Sequence, residues 1–248
     1  MTFAQGALLA GASVGAGIVN AIAGGGTLLT FPALLATGVS PVAANATNTL
    51  ALWPGQLSGT LAYRHHVMDE RKRAILLAVP SAIGGLAGAM LLLALPERSF
   101  ELAVPWLILF ACALLAVQGQ VKTLLSKVHG AEHPATLWIV QLAVGVYGGY
   151  FGAGIGIIML AAMGILLPSS QQHANALKVL FSFIINGVAA LYFFGAGAAR
   201  LPEATLMAVS AAAGGWVGAH LAQRLPPAGM RGVAIAVGLY AAARMLWR

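Results

Sequence analysis

The sequence predicts an all-α polytopic membrane protein, with about eight membrane segments in two similar halves and the first segment of each half broken or re-entrant. Three observations predict it. Charge is nearly absent, the apolar blocks have membrane-spanning length, and the chain matches itself at a spacing of 130 residues.

Of 248 residues, 60% are hydrophobic and 8% are charged. A soluble domain carries about 25% charged residues. Thirteen Lys+Arg and six Asp+Glu cannot cover a soluble surface of this size, and mean hydropathy is +0.88. These values exclude disorder, nucleic-acid binding as a main role, and a secreted disulfide scaffold. The mass of 25.3 kDa leaves no room for a large soluble domain. The net charge of +7 is not a basic patch, because Lys and Arg of a membrane protein gather in cytoplasmic loops. Cys112 is the only cysteine and lies in an apolar run, so no intramolecular disulfide is expected. Met1–Ala10 has no Lys or Arg ahead of its apolar stretch. It is expected to begin the first membrane segment rather than a cleavable leader.

Charged residues divide the chain into blocks at 3–36, 42–63, 74–95, 101–121, 136–167, 171–195, 203–223 and 229–247. A spanning helix needs about 20 residues at about 1.5 Å each. Six blocks suit that length. Blocks 3–36 and 136–167 are too long: a straight helix of either would reach about 50 Å, against a hydrocarbon core of about 30 Å. Each must tilt, break or turn back. Glycine clusters mark where: Ala23-Gly24-Gly25-Gly26 and Gly152-Ala153-Gly154-Ile155-Gly156, since glycine permits the dihedral angles of a break.

Shifted by 130 residues, the chain aligns with itself without a gap. Gly15, Gly24 and Gly26 fall on Gly145, Gly154 and Gly156, and Ala44-Asn45-Ala46 falls on Ala174-Asn175-Ala176. Gly84, Gly85 and Gly88 fall on Gly214, Gly215 and Gly218, and Leu95-Pro96 falls on Leu225-Pro226. At least 23 identities occur in 118 pairs, where chance gives roughly ten. The expected halves are 1–121 and 136–248, joined by a polar cytoplasmic linker at 122–135.

If all eight blocks cross, Lys and Arg divide nine against three, with Arg71, Lys72, Arg73 and Lys122 on the richer, cytoplasmic side. If the two long blocks turn back, the halves are inverted and the count becomes eight against four. The rule leans to eight crossings and leaves both arrangements open.

Backbone broken at membrane depth must be buried in protein or line a cavity. Transporters bind substrate between two such segments related by an internal repeat. Gly24, Gly25 and Gly26 with Gly154 and Gly156 are therefore expected to line a site. Gly84, Gly85, Gly88, Gly214, Gly215 and Gly218 read instead as close helix contacts. After the breaks, Ser40-Pro41 reads as an N-cap and first helical residue, with Ser169-Ser170 as its counterpart. Asn45, Thr47, Asn48 and Asn175 then follow near helix N-termini, where free N–H groups suit an anion. Asn45 and Asn175 are expected to line one central site.

Lys178 falls on Asn48 in the repeat and lies inside its block, while no Asp or Glu lies inside any block. An intramembrane cation is a functional candidate by default, and Lys178 is expected to supply charge to an anion beside Asn175. Lys178 and His173 are the candidates for moving a proton. His65-His66 reads as cytoplasmic interface and His220 as packing. His129 and His133 are too few for a metal site, and no metal or cofactor is expected. No nucleophile–base pair or phosphate loop stands out.

The run Gly17-Ile18-Val19-Asn20-Ala21-Ile22-Ala23-Gly24-Gly25-Gly26-Thr27, then Phe31-Pro32, Gly38-Val39-Ser40-Pro41 and Ala44-Asn45-Ala46-Thr47-Asn48-Thr49, resembles the TauE/SafE sulfite-exporter family. The second half is similar in Gly148–Gly156 and Ala174-Asn175-Ala176-Leu177-Lys178. The resemblance covers nearly the whole chain. It implies a secondary carrier of a small sulfur-containing anion, such as sulfite, thiosulfate or an organosulfonate, in a bacterial-type inner membrane. The residues alone imply only a repeat-built carrier of a small anion in a lipid bilayer. A membrane enzyme and a non-transporting assembly or sensor protein are the other classes. Oligomeric state is not readable.

Overall fold

In the computed structural model, residues 1–22, 25–125, 134–167, 171–221 and 227–247 are described. Among them the regular structure is helical throughout. Both overlong blocks are broken. The first is α1 (Phe3–Ile22) and α2 (Thr27–Ala36), and the second is α7 (Pro134–Tyr150) and α8 (Ile155–Leu166). The other blocks are α3 (Pro41–Ala62), α5 (Arg71–Ala94), α6 (Glu97–Leu125), α9 (Gln171–Gly195), α10 (Leu201–Leu221) and α11 (Pro227–Leu246). A short helix not expected from the sequence, α4 (Arg64–Asp69), fills the charged gap before α5.

The breaks use glycine as anticipated: Gly25, Gly152 and Gly154 have φ of 95°, 78° and 77°. After each break the chain doubles back. Gly15 of α1 lies against Leu29 of α2, and Gly26 against Ala16. Gly148 of α7 lies against Ile155 of α8, and the Gln141 amide reaches the Met159 sulfur at 3.6 Å. At 10 and 12 residues, α2 and α8 reach only about 15–18 Å.

Helix directions follow from the contacts. Gly59 meets Val179 and the Tyr63 hydroxyl meets Asn175, while Trp53 meets Phe183 and Gly187. The pairing runs in opposite senses, so α3 and α9 are antiparallel. Cys112 meets Ile235 and Gly119 meets Arg231, so α6 and α11 are antiparallel too. Eight straight crossings would have put α3 and α9 in the same direction. The two antiparallel pairs depart from that pattern and agree with the directions expected if the long blocks turn back.

The close glycine contacts are between backbones. A Cβ on Gly88 would lie 2.1 Å from the Val146 carbonyl oxygen, joining α5 to α7. A Cβ on Gly214 would lie 2.1 Å from the Val14 oxygen, joining α10 to α1. Such contact is how helices associate where lipid removes the hydrophobic drive between them. The exterior carries exposed large apolar side chains, including Phe3, Trp106, Ile139, Val209, Trp216 and Trp247. Five helices among the described residues are long and apolar enough to cross a membrane. The protein is a polytopic helical membrane protein.

Candidate functional site

The second break is flanked by side chains from the antiparallel α3/α9 pair. Asn45 of α3, 1% exposed, donates its amide to the Tyr150 carbonyl at 3.0 Å. Two residues on, a Cβ at Gly152 would lie 3.5 Å from Asn186 Oδ1 of α9. Further on, a Cβ at Gly156 would lie 3.4 Å from Lys178 Cδ. The break thus runs past Asn45, Asn186 and Lys178 in that order. The Tyr147 hydroxyl donates to the Ala153 carbonyl at 2.6 Å. Side chains therefore satisfy carbonyls that the helix ladder leaves open, as irregular backbone at membrane depth requires. The lysine stem lies along Gly156, which offers no side chain to exclude it.

The first break is tied in the same way. Gly26 donates its N–H to Asn20 Oδ1 at 2.8 Å, and Thr30 bonds the Gly26 carbonyl at 3.2 Å. The Thr30 hydroxyl also donates to Asn48, which is buried. Both breaks approach one stretch of α6: Gly25 packs on Leu115, and Gly154 on Leu114 and Ala111. Gly24, Ser169 and Ser170 lie outside the described residues.

Two expected placements are corrected. Asn175 does not share a site with Asn45. Its amide donates to the Tyr63 hydroxyl at 2.9 Å, and Tyr63 follows the last residue of α3 whereas Asn45 sits near its first turn. Eighteen residues of helix separate those two positions, roughly 27 Å, because antiparallel packing sends equivalent residues to opposite ends. His173 lies at the same outer end, with Nε2 3.4 Å from the exposed Asp69 carboxylate and its ring 5.4 Å from His66. Thr47 donates to the Ala43 carbonyl at 2.6 Å and accepts the Arg200 N–H at 2.9 Å, which ties α3 to the chain that leads into α10. Ser40 precedes Pro41 as expected, yet makes no side-chain cap bond.

The family described as "Sulfite exporter TauE/SafE" matches residues 9–245. The chain belongs to the TauE/SafE family. A "Probable membrane transporter protein ORF9" of Sinorhizobium sp is 29% identical over 187 residues, covering 73% of this chain and 70% of that protein. A "Probable membrane transporter protein" of Haemophilus influenzae is 32% identical over 180 residues, covering 66% and 65%. "Probable membrane transporter protein YfcA" of Escherichia coli K12 is 30% identical over 189 residues, covering 69% and 67%. No solved structure matches. TauE/SafE membership makes the chain a membrane transporter rather than an enzyme.

Some polar residues of the TauE/SafE chain escaped the sequence reading: Asn20, Thr30, Gln56 and Asn186. A signal for the last two existed. The 130-residue shift places Gln56 on Asn186 and Trp53 on Phe183, amide on amide and aromatic on aromatic. Asn20 and Thr30 fall on Tyr150 and Leu160, so the repeat carries no trace of their polar roles.

Proposed function

We propose that this chain is a secondary carrier of a small sulfur-containing oxyanion, such as sulfite, thiosulfate or an organosulfonate, across a bacterial-type inner membrane. The observation that carries the reading is the second break, passed in order by Asn45, Asn186 and Lys178. A lysine whose stem lies on Gly156 sits beside the start of α8, whose positive dipole end suits an anion. Sulfur enters through the family alone, since an amide–ammonium site suits other small oxyanions. We read the halves 1–121 and 136–248 as inverted repeats about an axis in the membrane plane. Supporting this, Trp53 stacks on Phe183 at 5.5 Å and Asn186 bonds Gln56 at 3.2 Å, and each pair is 130 residues apart. Equivalent residues touch only where such an axis passes. The test is flux of sulfite, thiosulfate, sulfoacetate, sulfate and small carboxylates in vesicles holding only this protein, with and without a pH gradient. Saturable flux of a sulfur oxyanion is expected. No flux of any of them overturns the reading in favour of an assembly or sensor protein.

A further inference from the structure

Asn186 is buried, half-way along α9. Its Nδ2 donates to Gln56 Oε1 at 3.2 Å, while its Oδ1 faces Gly152 of the break. Gln56 is half-buried, and its own amide nitrogen makes no hydrogen bond among the described residues. The pair therefore ends in two N–H donors at the crossing of α3 and α9. A polar group at this depth is costly unless it meets a partner or a water-filled path.

The pair also joins two polar stripes. On α9, Asn175, Lys178, Ser182 and Asn186 recur at helical spacing on one face. On α3, Asn45, Asn48 and Gln56 do the same. Because the helices are antiparallel and meet at Gln56–Asn186, the stripes run end to end rather than side by side. Each covers roughly 16 Å, so together they extend about 33 Å, close to the thickness of a hydrocarbon core. Lys178 stands in the upper stripe and Asn45 in the lower, both against the second break.

We propose that Gln56, oriented by Asn186, is a substrate-contacting residue at the middle of the transport path, giving amide N–H donors to the oxyanion. Gln56 touches substrate, and Asn186 is the positioning residue that fixes which way its amide points. A neutral donor suits this point. It recognises an oxyanion without the tight hold of a second cation, so the anion that Lys178 attracts is able to leave. The proposal rests on the carrier reading above.

Sulfite and thiosulfate flux is measured in vesicles of the intact chain and of Gln56→Leu, Gln56→Glu and Asn186→Leu. Loss of one hydrogen bond to a charged group predicts a roughly tenfold or greater rise in KM for Gln56→Leu. Gln56→Glu, which sets an anion against an anion, is expected to abolish flux. Asn186→Leu is expected to raise KM less, and to relax discrimination between the two anions. A wild-type protein inert toward both anions overturns the carrier reading. An active wild type whose KM is unchanged in both Gln56 variants overturns this proposal alone. In a Cys112→Ala background, Gln56→Cys is also treated with a small charged thiol reagent in native membranes. Modification slowed by sulfite or thiosulfate is expected, and failure to react, or reaction indifferent to both anions, overturns the proposal even where the leucine variant does not fold.

Discussion

Asn45 of α3 and the Tyr150 carbonyl at the end of α7 are joined by a 3.0 Å hydrogen bond across 105 residues of sequence. It gives Asn45 a role in holding the second break as well as in lining it. Asn45→Ala leaves the half-buried Tyr150 carbonyl without this partner, at a cost of about 1 kcal/mol. Thermal unfolding in detergent is expected to fall and flux to fall with it. Asn175→Ala, which removes only a half-buried bond to Tyr63, is expected to cost less by both measures.

Lys178→Met keeps the apolar stem that lies along Gly156 and removes the charge. Anion flux is expected to disappear while the protein still folds and inserts into the membrane. Gly156→Leu tests the same contact from the other side. Its side chain displaces the lysine stem, so flux is expected to drop although the charge remains. Near-normal flux in Lys178→Met would reduce Lys178 to an interface residue.

The close glycine seams give a stability prediction. Gly88→Ala and Gly214→Ala each set a Cβ 2.1 Å from a backbone oxygen, so helices must separate. The expected loss is about 1–3 kcal/mol or more, seen as a lower melting temperature or poor expression. Gly11→Ala and Gly232→Ala are controls, since nothing lies within 4 Å of either added Cβ. Those two are expected to be neutral or stabilising by up to about 1 kcal/mol.

Orientation is open to labelling. Arg71, Lys72 and Arg73 open α5 and Lys122 lies in the last turns of α6. Single cysteines at Arg71 or Lys72, in a Cys112→Ala background, are expected to react with an impermeant reagent only after the cells are permeabilised. Reaction from outside intact cells would reverse the orientation.

By itself the sequence determined the class of molecule and the location of its irregular backbone. Scarce charge demanded a lipid environment, and block length with glycine placed the breaks that appear at Gly25 and Gly152–Gly154. The glycines of 84–88 and 214–218 were legible as packing because small residues at helical spacing serve that end in lipid. What the tertiary structure decided was direction and company. A repeat spacing is the same for parallel and inverted halves, and only contacts such as Gly59 with Val179 and Tyr63 with Asn175 reveal antiparallel helices. That single choice parts Asn45 from Asn175 and sends His173 to Asp69. It also brings Gln56 onto Asn186. Linear spacing carries no information about which ends of two helices lie together, because that is fixed by loops, returns and close packing between halves.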